Sequence, residues 1–300
     1  MGSVLAELPR GGRLTVIRLR SLGDCVLTTP ALSLLRRFRP DLHVAVVVEP
    51  RFRAIFEGNP DVDEILPPEL GALRRARPDL CLNFHGGPRS AWLTALSGAR
   101  LRAGFGHFHG QAAYNIRIPR AQEILNVNRT VHTAEHLASA IFYLGAPAGE
   151  IPHARLVARE PAPRSAVIHA FSAAAAKSWH AEGFLEVARH LQASPTDVVF
   201  IGARGDDLSP FQDFPTLSGA PLEELKCRLA SATVFVGNDS GPAHMAAAFG
   251  VPSVVIFGAS DPAIWGPWRT PSEVVTAPGG IADITVDQVL GALARLRVAA

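Results

Sequence analysis

The sequence predicts an α/β protein made of two doubly wound units. Three observations predict it. Short apolar runs, of the kind buried on both faces of a parallel sheet, alternate with helical segments along the whole chain. Polar or glycine-bearing turns follow the strands at their carboxyl ends, where open α/β sheets place ligands. A connection rich in Pro, Ala and charge, residues 148–164, divides the 300 residues into halves that can each bury a core.

In the first half, residues 13–19 read as a strand and 20–24 as a turn. Residues 29–38 read as a helix, with Thr29 as its cap, Pro30 in its first turn and Pro40 beyond its end. Residues 43–48 form the next strand and complete a βαβ unit. A short helix at 52–56, a strand at 64–66, a basic helix at 70–76 and a buried strand at 79–84 continue the alternation. The flexible turn His85-Gly86-Gly87-Pro88, a helix at 90–96, a strand at 101–105, an extended segment at 115–119 and a helix at 132–144 complete this half.

The second half repeats the pattern: a strand at 165–169, a small-residue loop to Trp179, a helix at 181–192 and a strand at 197–201. A helix at 222–229 follows, with Glu223 and Glu224 early and Lys226 and Arg228 late, the order its dipole favours. Residues 233–257 read as strand, polar turn, small-residue helix and strand. Pro242 suits the first helical position, Ser240 or Gly241 suits the cap, and Gly250 with Pro252 stops the helix. Such a helix start aims N–H groups and a positive dipole end at the sheet edge, where a diphosphate can bind. A Gly/Pro-rich loop at 258–268 carries Trp265 and Trp268, which could wall a ligand or pack on a neighbouring helix. A capped amphipathic helix at 285–296 closes the chain.

No apolar run reaches the ~20 residues of a membrane span, and the first residues lack the apolar stretch of a signal peptide, so a cytoplasmic protein is expected. Cys25, Cys81 and Cys227 are too scattered for a disulfide framework or a zinc site, and Cys25 reads as a buried structural thiol. His107 and His109 have no third ligand, and no metal is expected. Residues 1–150 carry 18 Arg against 13 acids, and residues 151–300 carry 11 basic residues against 14 acids. The first half therefore suits an anionic partner, unless its arginine content is only compositional. Two tyrosines and no basic stripe interleaved with aromatics argue against nucleic acid.

Several side chains fall where chemistry is placed. Asp24, after the first strand, could act as a general base, cap the following turn, or pair with Arg18 or Arg20. His85 could bind substrate or be an ordinary loop residue. Lys177, one of two lysines in the chain, lies between a first strand and its helix, where a point charge could meet a phosphate.

Taken together, these stretches resemble the ADP-heptose:lipopolysaccharide heptosyltransferases and their glycosyltransferase family 9 relatives. The resemblance is carried by residues 16–32 (VIRLRSLGDCVLTTPAL), 239–252 (DSGPAHMAAAFGVP) and 257–262 (FGASDP), with 78–87, 96–105 and Lys177-Ser178-Trp179 in the family's order between them. It implies a GT-B fold, two Rossmann-like doubly wound domains facing a cleft: residues 1–155 binding the acceptor and 156–300 binding the nucleotide-sugar. It implies Asp24 as the base that deprotonates the acceptor hydroxyl for an inverting, metal-independent transfer from ADP-heptose. Lys177 and the Ser240 and Gly241 amides would steady the leaving diphosphate, Asp239 would bind sugar hydroxyls, and His244 would donate to or brace the same site. Arg20, Ser21, His85 and Arg89 are the acceptor-side candidates. The ADP-sugar is a substrate, no cofactor is implied, and the acceptor would be an anionic glycolipid, lipopolysaccharide inner core, met at the inner-membrane surface.

Two departures stand out. Ala170-Phe171 and the alanines to 176 replace a Pro-Gly pair, and a phenylalanine does not permit the close phosphate approach a glycine does. Asn83 stands where an Asp is common. Both leave room for another nucleotide-sugar, or for a catalytically silent nucleotide-sugar-binding protein of the same fold. A GT-B epimerase would need further carboxylates, and an NAD-dependent oxidoreductase would need a Gly-x-Gly-x-x-Gly after a first strand; neither is present.

Overall fold

The computed structural model describes residues 3–172, 174, 177–193 and 196–296. The chain divides into two compact units, Met1–Val157 and Ala158–Ala300. The first holds strands β1 (Arg13–Ile17), β2 (His43–Val47), β3 (Glu64–Leu66), β4 (Leu80–Asn83), β5 (Leu101–Phe105) and β6 (Ile116–Ile118). Its helices are α1 (Val4–Glu7), α2 (Leu22–Phe38), α3 (Leu70–Arg75), α4 (Pro88–Leu96), α5 (Ala121–Leu125) and α6 (Thr133–Tyr143). The second holds β7 (Ser165–His169), β8 (Val198–Gly202), β9 (Thr216–Ser218), β10 (Ala232–Asn238), β11 (Ser253–Ile256) and β12 (Ser272–Val275). Its helices are α7 (Ala181–Gln192), α8 (Leu222–Ala230), α9 (Gly241–Ala248), α10 (Pro262–Trp265) and α11 (Val286–Arg295).

Each unit is built on one six-stranded sheet, ordered β3-β2-β1-β4-β5-β6 and β12-β11-β10-β7-β8-β9, with parallel pairing throughout. Both are the doubly wound order in which the chain reverses direction beside its first strand. That reversal opens a crevice at the carboxyl ends of β1 and β4 in one unit and of β7 and β10 in the other. The central strands are buried on both faces, which is why their sequences are continuous apolar runs. Gly237 belongs to this packing: a Cβ there would lie 2.7 Å from the His169 carbonyl oxygen, so β10 needs glycine at its approach to β7.

The largest correction concerns α2. Thr29 and Pro30 do not start it; the helix begins seven residues earlier, at Leu22, and Pro30 lies inside it. A proline there cannot donate to the carbonyl four residues back, Val26 O, and the Thr29 hydroxyl donates to that oxygen instead at 2.8 Å. Thr29 Oγ1 also accepts from Arg155 N at 2.8 Å, tying the end of the first unit to the helix. Asp24 therefore sits in the first turn of a helix rather than in a loop. A second correction is small: Gly241 is the first residue of α9 and Pro242 the second, with Ser240 in the cap position but making no side-chain cap. Gly250, at φ +73°, ends α9 as expected.

Cys25 and Cys81 are buried, and burial pushes both thiols up to about 12, which fits inert structural thiols. No helix among the described residues is long and apolar enough to cross a membrane.

Candidate functional site

In the first unit, the chain leaves β1 at Ile17 and passes Arg18, Leu19 and Arg20 before Ser21 opens α2; the Arg20–Ser21 peptide is cis. Asp24, third residue of α2, closes a capping box: its Oδ2 accepts from Ser21 N at 3.1 Å and from Ser21 Oγ at 3.0 Å. Its other oxygen, Oδ1, accepts from Arg18 Nη1 at 3.2 Å, and that guanidinium is buried while the Asp24 side chain keeps 23% of its exposure. Capping and pairing with Arg18 are thus both realised. They hold the carboxylate in one orientation at the crevice edge.

Beside it, β4 ends at Asn83, which is fully buried. Its Oδ1 accepts from His85 N at 2.9 Å and Gly86 N at 3.0 Å, and its Nδ2 donates to Thr94 Oγ1 at 3.1 Å. Asn83 therefore shapes the turn that presents His85. Burial first, then the charges of Arg18 and Arg20, lower the His85 pKa. Further along the edge, the His136 ring stacks on Phe105 at 3.9 Å between centroids with His107 at 5.4 Å, and burial with the neighbouring cations pushes His136 down to about 4. Of the four acceptor-side candidates, Arg20, Ser21 and His85 gather around Asp24. Arg89 is turned elsewhere, its guanidinium 3.2 Å from Pro68 O and 3.9 Å from Glu49.

In the second unit, β10 ends at Asn238. This carboxamide is fully buried and clamps the loop after β7 at both ends: Oδ1 accepts from Trp179 N at 3.0 Å, and Nδ2 donates to Ala170 O at 2.9 Å. Trp179 is itself pinned by Nε1 donating to Ile284 O at 2.8 Å. The loop so held carries Lys177, whose Nζ donates to Asp239 Oδ2 at 3.0 Å. The Ser260 hydroxyl donates to the same oxygen, and Asp239 is buried while Lys177 keeps a third of its exposure. The expected donor residues Lys177, Asp239, Ser240 and Gly241 are thereby brought together. His244 lies buried in the first turn of α9, its ring edge-on to Trp265 at 6.4 Å.

Ser240 Oγ lies 3.1 Å from His169 Nδ1, at the end of β7. Burial pushes His169 down to about 4, so the imidazole is neutral at pH 7. With the proton on Nδ1, the ring donates to Ser240 and frees that hydroxyl to donate outward. The Phe171 ring meets Phe211 at 6.1 Å and His169 at 6.0 Å and lies beside Gly202. Of the alanines in that loop, 173, 175 and 176 lie outside the described residues.

Sequence reasoning named Arg18 only as one possible partner of Asp24, and it did not single out His169, Asn238 or Ser260. His169 stands at the end of a first strand, a position that could have marked it. Asn238 and Ser260 act through contacts tens of residues away that no local pattern encodes. Among the described residues, no group of three or more His, Cys, Asp or Glu is placed to hold a metal ion.

Two units, each on a doubly wound parallel sheet of this order, are the architecture of GT-B proteins, and comparison with solved structures bears the fold out. The fold is that of a family 9 glycosyltransferase from Veillonella parvula, with a TM-score of 0.84 over 98% of this chain and 99% of that one at 22% identity. Escherichia coli heptosyltransferase WaaC, solved with ADP, matches at a TM-score of 0.79 over 95% and 99% of the two chains at 20% identity. Among curated sequences, lipopolysaccharide heptosyltransferase 3 of Escherichia coli is 25% identical over 292 residues, covering 83% of this chain and 84% of that one. Residues 70–282 match the model of glycosyltransferase family 9 (heptosyltransferase), and the chain belongs to that family. It is a glycosyltransferase.

Proposed function

We propose that the chain transfers a heptose from ADP-heptose, with inversion at the anomeric carbon, to a hydroxyl of the lipopolysaccharide inner core. The observation that carries this reading is the pairing of Lys177 with Asp239 at the head of α9. A cation, a neutral imidazole behind the Ser240 hydroxyl and a helix N-terminus converge there on a place suited to a diphosphate. ADP and lipopolysaccharide enter through the relatives: WaaC was solved with ADP, and the curated relative is a lipopolysaccharide heptosyltransferase.

The first unit would hold the acceptor. Its hydroxyl takes the place of Ser21 Oγ at Asp24 Oδ2, while Arg18 keeps Oδ1 and so fixes the direction of the free lone pair. The proton passes to Asp24 as the acceptor oxygen bonds to the anomeric carbon; the bond from that carbon to the diphosphate breaks, and ADP departs with the electron pair. Lys177 releases Asp239 towards the sugar hydroxyls and meets the growing phosphate charge together with the Ser240 and Gly241 amides. A group of this kind typically supplies ~10²-fold in rate. His85 and Arg20 would meet anionic groups of the core, and the enzyme would work in the cytoplasm at the inner-membrane surface.

The test is ADP release from ADP-heptose and deacylated core oligosaccharide. Asp24→Asn should abolish transfer while ADP still raises the melting temperature; Lys177→Gln should lower kcat by ~10²-fold and weaken that thermal shift. Transfer surviving in Asp24→Asn would remove the base from the mechanism. A stronger shift with UDP or GDP than with ADP would assign another nucleotide, and binding without turnover on any acceptor would make the chain a silent binding protein.

A further inference from the structure

We propose that the exposed face of α4 docks on an anionic lipid surface. Among the described residues only Trp92, Leu96 and Val274 are exposed large hydrophobics. Trp92 is 68% exposed and Leu96 37%, and both lie on α4. Four residues apart, they share one face of the helix, while Ser90, Ala91, Leu93 and Thr94 are buried on the other. Large aromatic side chains are seldom left in water, and Trp prefers the boundary where its ring is apolar and its N–H is wet.

The surroundings decide the occupant. Arg89, one turn before Trp92 on the same face, has a side chain 60% exposed with Glu49 3.9 Å from its guanidinium, and the exposed Arg74 donates through Nε to Leu96 O at 2.8 Å at the other end. Residues 67–111 carry six arginines, at 74, 75, 77, 89, 100 and 102, against two acids, Glu69 and Asp79. A stable protein interface needs ~800 Å² per partner, and two side chains supply a fraction of that. An anionic bilayer needs less: a shallow aromatic anchor and several guanidinium groups, each signal marginal alone and sufficient together. The helix also begins at the crevice edge, with Pro88 three residues after His85, and runs ~12 Å from there at the helical rise. The face would serve the glycolipid acceptor proposed above, the sugar end reaching Asp24 and His85 and the acyl end lying beside Trp92, and vesicle binding tests it without any transfer.

The experiment is co-sedimentation of the full chain with phosphatidylglycerol–phosphatidylcholine vesicles and with phosphatidylcholine vesicles alone. Binding should require phosphatidylglycerol and weaken with salt. Trp92→Ala should lower the partition about tenfold and Arg74→Gln about fivefold, both with wild-type melting temperature and unchanged turnover on water-soluble deacylated acceptor. Binding that ignores lipid charge, or that Trp92→Ala leaves intact, overturns the proposal. So does a dimer in solution that Trp92→Ala disperses while vesicles capture nothing, since the face then belongs to a second copy. Vesicle binding that persists where no acceptor is ever glycosylated would sink the transfer reading and leave the docking face standing.

Discussion

Asn238→Asp is a near-isosteric change with a consequence that depends on pH. The wild-type carboxamide accepts from Trp179 N and donates to Ala170 O, with no exposure to solvent. An ionised carboxylate keeps the first bond but turns an oxygen towards the Ala170 carbonyl. A protonated one restores both bonds. Burial and that carbonyl raise the folded-state pKa of the new group above the unfolded value of about 3.9. The native state then holds the proton as long as that is cheaper than burying the charge. Holding it at pH 7, about three units above the unfolded pKa, costs about 1.4 kcal/mol per unit and caps the loss at about 4 kcal/mol. An uncompensated buried charge costs about 3–5 kcal/mol, so the expected loss lies near that cap. A group whose folded pKa is raised is harmless below its unfolded pKa and loses stability as pH rises. Urea unfolding from pH 5 to 8 measures this, followed by tryptophan fluorescence because three of the four tryptophans lie in the second unit. The variant's deficit should grow with pH, while Asn238→Ala, which loses both bonds and gains no charge, should show a constant one. A deficit below ~1 kcal/mol at pH 7, or one that does not change across the range, would refute the role given to Asn238.

The buried imidazoles make a second prediction about pH. His169 and His136 are both pushed down to about 4, against about 6.5 for an unfolded His, so the unfolded chain binds protons first. Stability is complete above pH 6.5 and falls towards pH 4, and His169→Gln should flatten that acid limb in the same urea assay. Cysteine labelling checks the burial of the thiols: with pKa values near 12, about 10⁻⁴ of Cys25 or Cys81 is thiolate at pH 8. An alkylating reagent should therefore modify Cys227 in the native protein and all three only after unfolding.

Much of the architecture is legible in the chain itself. The runs at 101–105 and 165–169 and the helix at 181–192 have the bounds read from the sequence; the strand at 165–169 is buried along its whole length and carries an apolar centre, and a helix over a core must be periodic. The start of α2 was not legible, since Thr-Thr-Pro has the local chemistry of a helix start. Only the Thr29 hydroxyl standing in for the missing proline N–H, with Arg155 packed against it, shows why the helix runs through. The edge strands β9 and β12 were missed because they are short and half-exposed, with no apolar run to mark them.

The candidate sites divide the same way. From one sequence, residue type and position at strand ends marked Asp24, Lys177 and the turn at 239–241, since switch-point chemistry is local. Which atoms meet is set by the tertiary structure: Lys177 reaches Asp239 across 62 residues, and Asn238 grips Trp179 and Ala170 across 59 and 68. The same holds for protonation. His169 is neutral because the sheet buries it, and burial is a property of everything packed around a residue rather than of its neighbours in sequence.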